Sequence, residues 1–179
     1  MNEVIMNRRQ FLTVPAGLSL AAAWPAVIAQ TLAEASATTP PVLKGLTLDG
    51  KQFSLEQELG KVVLINFWAT WCPTCRTEMP EMRANYEGWR SKGFNLITVS
   101  IDDEMKDIEQ YEKLIQQTVP VKQQFPRLWR KQPGLQDNFG RIRGTPTSFL
   151  VNKKGQLVKR YQGRLPGAVW DEIAELVLT

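Results

Sequence analysis

Cys72 and Cys75 are the only cysteines in the chain, and Pro73-Thr74 stands between them. Two sulfurs at this spacing are close enough to bond without moving the backbone. A C-x-x-C set where a strand meets a helix marks a redox pair. The flanking sequence supplies that junction. Cys72 then falls at the helix N-terminus, where unpaired N–H groups and the macrodipole favour negative charge. Thiolate is the attacking species in exchange, so Cys72 is the expected nucleophile. Cys75, one turn further on, is placed to attack the mixed disulfide and release the reduced product. A purely structural disulfide suits the pair poorly, because so small a loop removes little entropy from the unfolded chain. A metal half-site completed by another chain is the remaining alternative.

The elements that must hold this pair read as follows. Val62 to Phe67 is apolar except for Asn66, which suits a strand buried on both faces. A helix is predicted from about Thr74 to Ser91, with Met79, Met82, Tyr86 and Trp89 at helical spacing, Pro80 expected to kink it and Gly93 closing it. Before the strand, Asp49-Gly50-Lys51 joins Leu46–Leu48 to Gln52–Ser54 as a hairpin, and Ser54 with Gln57 suggests a capped helical turn. Phe94 to Ile101 is a second buried strand. Asp102 and Asp103 suit the N-terminus of a helix from about Lys106 to Gln117, with Ile108, Tyr111, Leu114 and Ile115 inward. Pro120, Pro126 and Pro133 break the next stretch, where Leu128-Trp129 fits an edge strand or extended loop. Leu135 to Gly140 suggests a helical turn. A closing hairpin, Thr147–Asn152 with Gln156–Tyr161, precedes a last helix from Pro166. The order predicts one α/β domain with a mixed sheet.

Composition narrows the chemistry. The 179 residues, 43% hydrophobic and 22% charged, suffice for one ordinary globular core. The net charge of +4 comes without a basic cluster and makes no case for nucleic acid. There is no histidine. That excludes His-ligated zinc, Ser-His-Asp triads and Cys-His proteases. Two cysteines alone cannot build a structural zinc site or a framework of several disulfides.

Residues 1–37 read as an address rather than as fold. Arg8-Arg9-Gln10-Phe11-Leu12 precedes a mildly apolar run from Val14 to Ala29. This resembles a twin-arginine export signal, although Asn7 and Thr13 depart from the usual pattern. An ordinary secretory signal and an uncleaved N-terminal anchor are the alternatives. Cleavage is expected after Ala37, leaving 38–179 as a domain in the periplasm or another extracytoplasmic space.

Asn66 to Pro80, around Trp71-Cys72-Pro73-Thr74-Cys75, together with Arg143-Gly144-Thr145-Pro146-Thr147, resembles the thioredoxin superfamily. Within it the chain is similar to the TlpA/ResA-like exported thioredoxins, which include cytochrome c biogenesis reductants. The resemblance spans roughly Pro41 to the C-terminus. It implies a thioredoxin-like fold, with helices on both faces of the mixed sheet and an N-terminal hairpin. It also implies that Cys72 is the exposed nucleophile and Cys75 the buried resolving thiol. Trp71 would cover one side of the site, Pro73 and Thr74 would lie against the client, and a cis Thr145–Pro146 peptide would offer backbone to an extended substrate. Asn66 stands where cytoplasmic thioredoxin has a buried Asp. Glu78, three residues after Cys75, fits the carboxylate of this branch that takes the Cys75 proton.

The implied activity is reduction of disulfides in exported clients, such as cytochrome c or an assembling copper oxidase. Electrons would come from a membrane thiol donor, and no cofactor or metal beyond the Cys72–Cys75 disulfide is expected. A disulfide oxidase or isomerase, and a Cu(I)-handling protein of the same fold, are the alternatives. The pattern Pro-x-x-x-Thr-x-x-Cys of peroxiredoxin-like peroxidases fails, since Ile65 lies seven residues before Cys72. The residues do not fix an oligomeric state; a monomer is the expectation.

Overall fold

The computed structural model describes residues 39–179. The predicted export signal, 1–37, lies outside the described residues. Among the described residues, no helix is long and apolar enough to cross a membrane.

The central strand β3 (Val62–Trp68) is buried along its whole length. Alternation sends Val62, Leu64 and Trp68 to one face and Val63, Ile65 and Phe67 to the other. This explains the unbroken apolar run, because both faces are covered. β4 (Phe94–Ser100) pairs with β3 in parallel, and β7 (Thr147–Val151) pairs antiparallel on its other side. β5 (Arg127–Trp129) and β8 (Leu157–Gln162) form the two edges, giving the order β5-β4-β3-β7-β8. The sheet is mixed, as expected.

Helix α1 (Pro73–Trp89) buries Met79, Met82 and Tyr86 against one face, with Pro80 inside the helix. α3 (Ala168–Leu178) joins it there through Val169, Ile173 and Val177. The opposite face receives Leu43, Phe53 and Leu55 from the N-terminal segment. That segment forms a small second sheet. β1 (Leu43–Leu46) pairs antiparallel with β2 (Gln52–Ser54) and, on its other side, with β6 (Gln136–Asp137). Gly50 adopts φ +80° in the connecting turn, the conformation read from Asp-Gly.

Four local expectations need correction. The first strand starts at Leu43 and ends at Leu46; Thr47 leaves it because its hydroxyl bonds Asp49 and the Lys51 backbone instead. Ser54 precedes a 3₁₀ turn, Leu55–Glu58, but its side chain makes no cap bond. Leu135 to Gly140 is no helical turn: Gln136–Asp137 is β6, held by β1 and by a bidentate Arg130–Asp137 pair at 2.8 and 2.7 Å. In α2 (Met105–Thr118), Ile108 and Ile115 are buried, but Leu114 is exposed and Glu112 is buried in its place.

Glu112 can lie there because Arg127 Nε on β5 donates to it at 2.8 Å. Burial nevertheless pushes its carboxyl above the usual carboxylate range, against the pull of Arg127. Arg127→Ala is therefore expected to cost roughly 3 kcal/mol in urea unfolding at neutral pH, because it strands a buried charge. The loss should shrink as pH is lowered and Glu112 takes up a proton.

Candidate active site

β3 ends at Trp68, and after four residues, the last of them Cys72, the chain enters α1 at Pro73. The Cys72 N–H donates to the Ala69 carbonyl at 3.2 Å, making the turn. Cys72 is the N-cap of α1, and Pro73 occupies the first helical turn, where no N–H partner is required. The Cys75 N–H donates to Cys72 Sγ at 3.1 Å. A helix-terminal amide therefore points at the sulfur that must carry negative charge after reduction. The two cysteines form a disulfide, with Cα atoms 5.3 Å apart.

The second motif meets this turn from β7. The Thr145–Pro146 peptide is cis. The Thr145 carbonyl oxygen lies 3.6 Å from Cys72 Sγ. Pro146 is buried and Thr145 is half-buried, so Thr145 is the solvent-accessible part of this edge. Pro73 and Thr74 are exposed beside it, and Trp71 is 63% exposed.

Cys72 itself is only 4% exposed, against the expected exposed nucleophile. With the disulfide closed, its sulfur sits between the Cys75 amide and the Thr145 carbonyl. Cys75 is more deeply covered, at 1%. The expected order of accessibility holds, but by a narrow margin in the oxidised state.

Glu78 lies three residues after Cys75, on the same side of α1, and is 1% exposed. Its Oε1 accepts the Leu165 backbone N–H, while Oε2 has no partner. Burial pushes its carboxyl above the usual range; the Leu165 bond and the Arg164 charge oppose that shift. A glutamate is rarely buried unpaired. This one keeps one oxygen without a hydrogen-bond partner, about one helical turn from Cys75. Asn66 faces the same side of β3 as Trp68 and donates to Ser148 Oγ at 2.9 Å across the sheet. An amide is too weak a base to accept a thiol proton, so Asn66 does not take the place of the carboxylate it stands for.

One short segment ties these parts together. The Gly163 N–H donates to the Pro146 carbonyl at 2.8 Å, and Leu165, two residues later, donates to Glu78. The β8–α3 loop thus spans from the cis-proline edge to the buried carboxylate.

Sequence reasoning assigned Asp102 to the start of α2. The side chain instead turns back to Thr70, and Glu104 is the α2 N-cap. The signal available was an acidic residue just after a buried strand parallel to the one that leads into the cysteines, where open α/β sheets bind ligands.

The disulfide at a strand-to-helix junction, the cis-proline beside it and the strand order give the context in which sequence likeness can be judged. The AhpC/TSA family profile matches residues 34–160. The chain belongs to the AhpC/TSA family. Within it, the chain is 30% identical over 130 residues to the thiol-disulfide oxidoreductase ResA of Halalkalibacterium halodurans, covering 73% of this chain and 70% of that one. It is 29% identical over 155 residues to the sporulation thiol-disulfide oxidoreductase A of Bacillus subtilis, covering 86% and 90%. A thiol:disulfide interchange protein of the thioredoxin family from Chlorobium tepidum superposes with a TM-score of 0.63 at 29% identity, covering 78% of this chain and 94% of that one. This AhpC/TSA member is a thiol–disulfide oxidoreductase with a thioredoxin-like fold. Its partners accordingly carry thiols or disulfides.

Proposed function

We propose that this enzyme works as a reductant of disulfides in client proteins outside the cytoplasm. The observation that carries the proposal is Glu78, a buried carboxylate with one free oxygen on the helix behind the cysteine pair. In the reduced enzyme the Cys72 thiolate attacks one client sulfur, and the other client sulfur leaves as thiolate and takes up a proton. Cys75 gives its proton to Glu78 and attacks Cys72 Sγ. The second client thiolate departs, and the two electrons lost by the cysteines are those gained by the client. The Cys72–Cys75 pair carries the whole exchange without a bound cofactor. A dithiol donor, which we place in the membrane, must then reduce the pair again.

The twin-arginine-like segment at Arg8-Arg9 supports the extracytoplasmic location. Apocytochrome c and assembling copper oxidases are client classes compatible with that compartment.

The test is the equilibrium reduction potential of Cys72–Cys75 against a dithiothreitol or glutathione series. A value near or below about −250 mV is expected for a reductant. A value near about −120 mV would make the pair a strong oxidant and overturn the direction proposed here.

A further inference from the structure

Thr70 and Trp71 connect the end of β3 to Cys72, and one side chain grips them. Asp102, at the C-terminal end of β4, is fully buried at 0% exposure. Its carboxylate accepts the Thr70 backbone N–H at 3.1 and 3.0 Å, the Thr70 hydroxyl at 2.7 Å and the Ser100 hydroxyl at 2.5 Å. The Asp102 backbone is held in turn: its N–H donates to Ser100 Oγ at 3.0 Å, and its carbonyl accepts Trp129 Nε1 at 2.8 Å. The Ile101 N–H donates to the Trp68 carbonyl at 2.8 Å. The end of β3 and the turn before Cys72 are thus pinned by two successive residues just beyond β4, Ile101 and Asp102.

Charge-assisted bonds of this kind are stronger than neutral ones. A carboxylate that has lost its exposure to water needs them. What they immobilise is functional surface. Trp71 is 63% exposed and gains little from packing, so its placement rests on the backbone of Thr70 before it and Cys72 after it. Thr70 and Trp71 form one side of an open groove of about 480 Å³, lined also by Arg76 on α1 and by Tyr111 on α2. Tyr111 is itself fixed, its ring 4.8 Å from that of Trp68 and its hydroxyl accepting from Arg83 at 2.9 Å. The groove does not include Thr145 or Pro146.

We infer that Asp102 is a positioning residue for client recognition: by holding Thr70 it fixes the Trp71 wall of this groove, which takes polypeptide flanking the client's disulfide. The inference rests on the client-reductase reading above. A small disulfide has no flanking chain and does not use the groove. Asp102 therefore sets the preference for protein over small-molecule disulfides.

Asp102→Asn tests this without changing the size of the side chain. An amide offers one oxygen, where the carboxylate serves three donor groups with two, and its NH₂ would face hydrogens. Thr70→Val removes only the hydroxyl donor, and Thr70→Ser keeps it. The readout is kcat/KM for insulin divided by the second-order rate with bis(2-hydroxyethyl) disulfide. That ratio should fall about tenfold in Asp102→Asn and in Thr70→Val, through KM for insulin rather than kcat, and return to within about twofold of wild type in Thr70→Ser. Should Asp102→Asn fail to fold, the Thr70 pair decides alone. Equal loss on both substrates would place Asp102 in thiolate chemistry or in the fold and overturn the inference, as would an unchanged ratio. A wild-type chain without insulin reduction would overturn the client-reductase reading and this inference with it. A wild-type chain that reduces insulin while the ratio stays constant across variants would remove the inference alone.

Discussion

Cys72→Ser should reduce turnover on a protein disulfide by at least about a thousandfold, whereas Cys75→Ser should arrest the enzyme as a covalent adduct with its client. The two cysteines are chemically alike, and their surroundings separate them. Cys72 is the N-cap of α1, receives the Cys75 amide hydrogen at 3.1 Å and faces the half-exposed edge at Thr145. Its thiolate is the better stabilised and the nearer to solvent. Cys75 lies within the helix at 1% exposure, so a client sulfur is expected to meet Cys72 first. A serine hydroxyl at position 72 has no accessible anionic form near neutral pH, and attack stops. With serine at 75 the first step proceeds and the second does not. Mass spectrometry should then show one client per chain, released by dithiothreitol. Adduct forming on Cys72→Ser as fast as on Cys75→Ser would reverse the roles of the two sulfurs.

The parts of the site that were legible in the sequence are those whose signals are local. The run from Val62 to Phe67 announces a doubly buried strand, and two cysteines at its end announce exchange chemistry. The Thr145–Pro146 edge and Glu78 carry no such local signal. They were named through resemblance, because their meaning depends on which distant turn they meet; the structure puts Thr145 beside Cys72 and buries Glu78 on α1. Where meaning was wholly long-range and no resemblance helped, the sequence misled. Gln136–Asp137 has the composition of a turn, yet it is a strand because β1 pairs with it and Arg130 clamps Asp137. Leu114 has the spacing of a core residue. It is exposed because Glu112, partnered by Arg127, occupies the inward position. Asp102 sits where an acidic residue would suit a helix start, and only the parallel pairing of β3 with β4 brings Thr70 within its reach. In each case a polar partner from another element decides the outcome, and periodicity along one segment does not encode that partner.

Glu78→Gln carries the second large effect, a fall of about a hundredfold in the rate at which the mixed disulfide resolves, the usual scale for losing a positioned proton acceptor. The amide is nearly isosteric and its oxygen can still accept the Leu165 N–H, so the loop from Gly163 to Leu165 should stay in place. What disappears is the second oxygen, which has no partner among the described residues and which the proposed exchange uses to take the Cys75 proton. The pH dependence gives the sign. Burial raises the Glu78 carboxyl above its ordinary value, so the wild-type rate should climb as pH rises through that raised value and Glu78 becomes able to accept. The Gln variant should lack this climb, and the two profiles should converge in acid, where wild-type Glu78 already holds its proton. Stability should move the other way. A carboxyl whose folded pKa is raised contributes stability that is complete below the unfolded value of about 4.3 and is lost as pH rises through the folded one. At neutral pH, Glu78→Gln should therefore melt at or above the wild-type temperature, and the difference should close on acidification. Slow exchange in a protein that is no less stable separates a proton acceptor from a packing residue. A variant that retained both the wild-type rate and the wild-type pH profile would mean that Cys75 gives its proton to water, and that Glu78 serves only to anchor Leu165.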